Sequence, residues 1–177
     1  MKIILISGKM RHGKDTVAQF IKEEIKGRVL IIHYADYLKF ICKQYYGWNG
    51  EKDVNGRELL QRFASDIVRA KEPDFWVNTV CHFLHLTEGD WDYVLIPDVR
   101  FPNEIFIPKR EFGFQNVISL RVDRVGFIPQ EATEEQLSHI SETALDNFQF
   151  DNYIFNTSDL NGLREKVRVF VESLTRN

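Results

Sequence analysis

The chain has little cysteine, little net charge and no long apolar run, and each shortage excludes a class of protein. Only two cysteines occur in 177 residues, Cys42 and Cys81, both in apolar helical patterns with no metal spacing and no second ligand pair nearby. Buried reduced thiols are therefore expected, and with them a cytoplasmic setting. The 23 Lys and Arg against 26 Asp and Glu give a net charge of −3 and a pI near 6.0. That balance lacks the clustered basic footprint of a protein that binds a nucleic-acid polymer, and points to small anions met by local positive charge. The N-terminal apolar run Ile3-Ile4-Leu5-Ile6 breaks at Ser7-Gly8, too short for a signal-peptide core or a membrane span. Internal repeats, low-complexity tracts and linkers are also missing. At 44% hydrophobic and 28% charged residues, 1–177 reads as one globular domain able to bury roughly 70% of its unfolded surface.

What is present begins at Gly8-Lys9-Met10-Arg11-His12-Gly13-Lys14-Asp15-Thr16, which follows that apolar run and opens an amphipathic pattern. Strand, glycine loop and helix in this order make a phosphate-binding loop. Gly8 and Gly13 let the backbone turn so that N–H groups converge on phosphate oxygens, and Lys14 reaches the outer phosphates. The helix adds its positive dipole end. The common pattern G-x-x-x-x-G-K-[ST] has a hydroxyl where this chain has Asp15, with Thr16 one step later. A carboxylate at Asp15 can hold Mg²⁺ directly or through its water shell, while Thr16 meets an inner phosphate. A plainer reading of the same residues makes Asp15 a helix cap and the glycines a simple turn.

Strands are expected at 2–7, 28–34, 93–97, 116–122 and 153–156, each short, β-branched or aromatic, and bounded by breakers. Their continuous apolar character suits buried parallel strands. Helical stripes at Val17, Phe20, Ile21 and Ile25, and at Leu163, Val167, Phe170, Val171 and Leu174, alternate with them. The expected fold is α/β, three-layered, around a mostly parallel five-stranded sheet. From 36 to 88 the rhythm breaks into successive helical patterns at 36–46, 57–69 and 74–86, an all-helical insert placed to hold a second substrate beyond the strand ends. The loop at 47–56 is a hinge candidate.

Pro97-Asp98-Val99-Arg100-Phe101-Pro102-Asn103-Glu104 follows the third strand, so its polar groups should emerge at the same sheet edge as the glycine loop. Asp98 can hold Mg²⁺ waters and Arg100 can grip a phosphate bidentately. An Asp–Arg pair closing a turn before a helix fits these residues too. In the insert, Arg62 and Arg69 lie seven apart on one face, Arg62 with Asp66 reads as an i, i+4 surface pair, and Arg57 and Arg69 fit either a ligand site or a solvated helix face. Tyr45, Phe75 and Trp76 are read mainly as core, with stacking on a base the other use. Around the end of the fourth strand come Arg121, Asp123 and Arg124, then a polar stretch to Ser138-His139-Ile140-Ser141-Glu142. The span 123–142 reads as a mobile lid whose arginines stabilise charge on a transferring phosphoryl group. Thr133 and Gln136 form a capping box, so part of the lid should be a short helix. His139 reads as a base or as a local hydrogen-bonding residue.

These motifs together, in this order, resemble the phage-type deoxynucleoside monophosphate kinases, a branch of the P-loop nucleotide kinases. The likeness rests on 8–16, on Tyr34-Ala35-Asp36-Tyr37-Leu38-Lys39, on 57–66 through Arg69, on 98–104, and on His139-Ile140-Ser141-Glu142. It implies a P-loop kinase fold with ATP bound at Gly8, Lys9, Arg11, Gly13, Lys14, Asp15 and Thr16, and Mg²⁺ at Asp15 and Asp98. It implies a monophosphate site at Asp36, Lys39, Arg57, Gln61, Arg69 and Trp76, joined by Asp98, Arg100, Glu104, His139 and Glu142. Lys14, Arg100, Arg121 and Arg124 are the implied catalytic cations. The resemblance leaves room for a homodimer without requiring one, and implies a host-cell cytoplasm if the source is a phage. Ala64-Ser65 stands where the family has Gly-Thr, and Ser138 where an Asp is usual.

The expected reaction is ATP-dependent phosphorylation of a deoxynucleoside monophosphate, with no polymer or membrane partner. An acceptor phosphate has a second pKa near ~6 and is already ionised at neutral pH, so the lack of a convincing base fits a phosphate acceptor better than an alcohol. Two other readings stand beside it. One is a kinase of another phosphorylated small molecule such as phosphomevalonate, whose P-loop family also carries a Gly-Lys-Asp ending. The other is a nucleotide-binding protein without turnover.

Overall fold

In a computed structural model, which describes residues 1–51, 53–130, 132–157 and 159–175, five strands lie in one sheet in the order β2-β3-β1-β4-β5. They are β1 (Lys2–Ser7), β2 (Val29–Ile31), β3 (Tyr93–Val99), β4 (Val117–Asp123) and β5 (Asn152–Phe155). Every pairing is parallel, so the mostly parallel sheet expected from sequence is wholly parallel. Alternation along β1 divides the core between the faces. Ile3 and Leu5 pack with Val94, Ile96, Val80 and Leu84 on one side, while Ile4 and Ile6 pack with Leu95, Leu120, Ile21 and Val167 on the other.

Helix α1 (Lys14–Glu24) and helix α8 (Leu160–Thr175) cover the second face. The first face carries the insert: α2 (Ala35–Tyr45), α3 (Val54–Gln61), a π-helix (Arg62–Arg69) and α4 (Phe75–Leu86). Helix α5 (Asn103–Phe112) follows β3, and the short helices α6 (Glu134–Ser138) and α7 (Ile140–Thr143) lie between β4 and β5. One insert position and one lid position, 52 and 131, fall outside the described residues. No helix among the described residues is long and apolar enough to cross a membrane.

Several boundaries differ from the sequence expectation. Strand β2 stops at Ile31, because the amides of His33 and Tyr34 turn away to the carboxylates of Asp36 and Asp98. Strand β3 instead runs through Pro97 and Asp98 to Val99, with a bulge where Leu5 and Ser7 face Ile96 and Val99. A bulge accommodates a residue that cannot donate to the ladder, as Pro97 cannot. Asp98 is thus a strand residue, and Arg121 lies inside β4 rather than in a lid. Helix α3 begins at Val54 because the Asp53 carboxylate accepts from the Gly56 amide at 2.7 Å.

Candidate active site

The 8–16 loop leaves the carboxyl end of β1 and turns into α1. A Cβ at Gly8 would stand 2.4 Å from the Val122 carbonyl oxygen of β4, so only glycine lets the loop pass that strand. Gly13 caps α1 with φ 97°, in the left-handed region. Lys14, the next residue, is buried, and its Nζ donates to the carbonyls of Gly8 and Lys9 at 2.8 and 2.9 Å. Burial, then the nearby charge of Arg100, brings its pKa down to about 7.

Asp15, open to solvent, sits 3.0 Å from His33 Nε2, and His33 Nδ1 lies 3.3 Å from Asp36, which in turn accepts from Lys39 at 2.9 Å. Hydrogen bonds to Asp15 and Asp36 raise the His33 pKa to about 9. Burial alone would raise the Asp36 carboxyl, but His33 and Lys39 hold it well below the ordinary range. Sequence reasoning does not reach His33, which belongs to no motif; only its contacts with Asp15 and Asp36 bring it into the site. Asp98 accepts from the Tyr34 and Ala35 amides, both at 3.0 Å, which fixes the start of α2 and leaves each oxygen a lone pair.

Glu104, at the start of α5, is almost wholly buried. It accepts from the amides of Arg100 and Phe101 at 2.6 and 3.1 Å and from Arg69 Nη2. Burial pushes its carboxyl up, while the Arg69 charge and the two amides oppose the rise. The Arg69 guanidinium also lies over the Phe101 ring, 4.2 Å from its centre. Its Nε and Nη1 are buried without a hydrogen-bond partner among the described residues.

Arg57, Gln61, Ser65 and Arg69 follow one another at four-residue steps and all line the same cavity. An α-helix drifts about 40° over each such step and would carry Arg69 ~120° away from Arg57. The π-helix, with its wider i→i+5 turn seen in Ala70 N to Ser65 O at 3.1 Å, turns the later steps back. Arg62, seven residues before Arg69, consequently points to solvent, and no ion pair joins it to Asp66 among the described residues. The shared face and the surface pair expected of an α-helix are both lost to this one irregularity.

The cavity these groups enclose is about 620 Å³, within the range of small-molecule sites. It also brings together Arg11, Lys14, Asp15, Lys39, Trp76, Asp98, Arg100 and Glu142, with Tyr34, Leu38 and Leu60 as apolar wall. Trp76 is both core and wall: it is buried, and its Nε1 donates to the Ala64 carbonyl at 3.3 Å. Asp36 stands behind His33 and Lys39 rather than on the wall. A second cavity, about 350 Å³, lies across the loop against Lys9, His12, Arg124, Phe127 and Pro129. The Arg124 amide donates to His12 Nδ1 at 3.1 Å, and its guanidinium covers the Phe127 ring at 4.0 Å. Gly8, Gly13 and Thr16 lie in the loop and at the start of α1, outside the walls of both cavities.

Arg121 and His139, like Asp36 and the loop residues Gly8, Gly13 and Thr16, line neither cavity. Arg121 is buried in β4, where it pairs with Asp123 at 3.0 Å and reaches Ser7 Oγ at 3.3 Å. His139 caps α7, its Nδ1 accepting from the Ser141 amide at 3.2 Å. The Thr133 side chain accepts from the Gln136 amide at 3.2 Å, as a cap of α6 should. Cys42 and Cys81 are free and buried, and burial pushes the Cys81 thiol up to about 12.

A family model described as "Deoxynucleotide monophosphate kinase" matches residues 30–167. Among curated proteins the chain is similar to a phosphomevalonate kinase of Drosophila melanogaster, 28% identical over 130 residues, covering 69% of this chain and 67% of the relative. Among solved structures, shikimate kinase from Bacteroides thetaiotaomicron superposes with a TM-score of 0.54 at 14% identity, covering 98% of each chain. The likeness to that kinase is one of fold.

Proposed function

The chain belongs to the deoxynucleotide monophosphate kinase family, and on that premise we propose that it transfers the γ-phosphoryl group of ATP to the 5′-phosphate of a deoxynucleoside monophosphate. The observation that carries this reading is the convergence of Lys14, Arg57, Arg69 and Arg100 on one 620 Å³ cavity that also has an aromatic and aliphatic wall. Four cations suit the two sets of phosphates; Trp76, Tyr34 and Leu38 suit a base and sugar. Gln61 and Ser65, between the two arginines of the polar row, offer hydrogen bonds to the edge of that base.

In this reading the 8–16 loop holds the ATP phosphates, and the Arg124 side of the loop takes the rest of the donor. Asp15 and Asp98 fit Mg²⁺, which is usually held through one or two carboxylates with substrate phosphates and water completing the shell. Among the described residues no group of three or more His, Cys, Asp or Glu side chains is gathered to hold a metal, here or elsewhere, so the ion would depend on the substrate phosphates for the rest of its shell. When bound, the ion neutralises charge on the β and γ oxygens. Lys14 has a pKa near 7 and gains a full positive charge beside phosphate. Arg100 presents its guanidinium where donor and acceptor meet, and Arg69, held by Glu104, grips the acceptor phosphate. The acceptor oxygen needs no base, its phosphate being ionised already.

A second reading has the same chemistry with a phosphorylated isoprenoid-type acceptor, favoured by the similarity to a phosphomevalonate kinase. Competition separates the two. With ATP, Mg²⁺ and a mixture of dGMP, dTMP, dCMP, dAMP, their ribose counterparts and phosphomevalonate, the proposal expects diphosphates of one or more deoxynucleotides. Exclusive turnover of phosphomevalonate would replace it with the second reading. Arg100→Ala should raise KM for the monophosphate or lower kcat with it far more than it changes ATP binding; unaltered monophosphate kinetics would remove Arg100 from its role.

A further inference from the structure

Glu142 lines both cavities, at the point where they meet across the loop, and its side chain is only 4% exposed. A carboxylate there repels the phosphates of both ligands, so its place has to be understood from what it holds. Its Oε2 accepts from the Met10 amide of the loop at 2.9 Å, and its Oε1 accepts from Arg100 Nη1 at 2.6 Å. Each oxygen is committed to a protein donor. Arg100 Nη1 also reaches the Gly8 carbonyl at 3.3 Å, so this one nitrogen is held from two sides. The Nε–Nη2 edge has no hydrogen bond to a described residue, and that edge is the fork that grips a phosphate with two parallel bonds.

We propose that Glu142 is a positioning residue: it aims the free fork of Arg100 at the transferring phosphoryl group and sets the Met10 amide in register, without touching substrate itself. The sequence resemblance placed Glu142 among the ligands of the monophosphate, and the geometry gives it a different task. α7 (Ile140–Thr143) carries this carboxylate, so docking of the lid onto the loop and alignment of Arg100 become one event. Lys9 Nζ to Asp146 at 2.9 Å ties the same segment to the loop a second time. The inference rests on the proposed function only in requiring a phosphorylated acceptor.

A double-mutant cycle tests it, using Glu142→Gln, Arg100→Ala and the pair, with single-turnover rates measured on whichever phosphorylated acceptor the wild type turns over. A carboxamide has one accepting oxygen where two donors must be met, and its NH₂ faces the other donor. A misplacement of about 1 Å at a transferring group can lower rate ~10²-fold, so Glu142→Gln should lower kcat by that order with a smaller change in KM. In the Arg100→Ala background the same substitution should cost about twofold or less, because the fork it aims is gone and the carboxamide oxygen is then free to accept from the Met10 amide. Losses that multiply in the double variant overturn the proposal, and so does a raised KM at unchanged kcat, the mark of direct substrate contact. Thermal melts of all four proteins confirm folding. If Glu142→Gln does not fold, Glu142→Asp, which keeps the charge but cannot span both donors, carries the same cycle. Failure of the deoxynucleotide reading shows in the acceptor panel and leaves the cycle readable on the acceptor found.

Discussion

Replacing Glu104 by glutamine removes one buried negative charge from beside Arg69 and the Arg100 and Phe101 amides, and its cost follows from what that charge meets. The carboxylate satisfies two backbone amides and one guanidinium nitrogen, and both partners are shielded, Glu104 at 2% and Arg69 at 17% side-chain exposure. Breaking a buried pair by removing one partner costs about 3–5 kcal/mol, because the remaining charge stays buried. Arg69 is badly placed to escape, since Nε and Nη1 have no hydrogen-bond partner among the described residues and Phe101 covers its face. Glutamine keeps one oxygen for the Arg100 and Phe101 amides, so about 3 kcal/mol is expected. In a chain of this size ~1 kcal/mol moves Tm by roughly 2–4 °C, giving a fall of about 6–12 °C in a thermal melt. The same substitution should raise KM for the acceptor by freeing Arg69 and the Arg100 backbone together. A Tm within about 2 °C of wild type would show instead that Arg69 does not depend on Glu104.

Lys14→Ala should abolish phosphoryl transfer while leaving far-UV dichroism unchanged; it should not lower Tm, because a lysine whose pKa burial brings down to about 7 is itself a cost to folding at neutral pH. Turnover at the wild-type rate would remove Lys14 from the chemistry. Asp151 gives the pH dependence: burial would raise its carboxyl, but Lys109 at 2.7 Å and the Ser119 amide and hydroxyl at 2.8 and 2.7 Å hold it below the ordinary value. A depressed carboxyl contributes stability above its unfolded pKa of about 3.9, and that contribution is lost as pH falls through the folded value. Asp151→Asn should therefore lower stability near neutrality and flatten its acid fall, as followed by urea melts from neutral pH downward; parallel curves for the two proteins would contradict this.

The sheet was legible because buried parallel strands write themselves as continuous apolar runs, and the 8–16 loop because two glycines, a lysine and a following helix sit in fixed order. All five strands lie where the apolar runs are, with ends shifted by context: the amides that end β2 are taken by Asp36 and Asp98, residues on other elements. The π-helix was not legible. Periodicity at 3.6 residues put Arg62 with Arg69, whereas the wider turn aligns Arg57, Gln61, Ser65 and Arg69. Glu104 and Glu142 could be named from motif order, but not their tasks, since an acidic residue in a cationic site reads as a ligand until both its oxygens are seen on protein donors. His33 carried no motif and emerges only from its contacts with Asp15 and Asp36.

³¹P NMR of one reaction mixture decides whether the phosphate of a deoxynucleotide receives the γ-phosphoryl group of ATP. With ATP, Mg²⁺ and deoxynucleoside monophosphates, the monophosphate and γ-phosphoryl resonances should fall while two diphosphate products, ADP and a deoxynucleoside diphosphate, grow in equal amounts. Growth of ADP with inorganic phosphate, and no deoxynucleoside diphosphate from any base, would contradict that transfer.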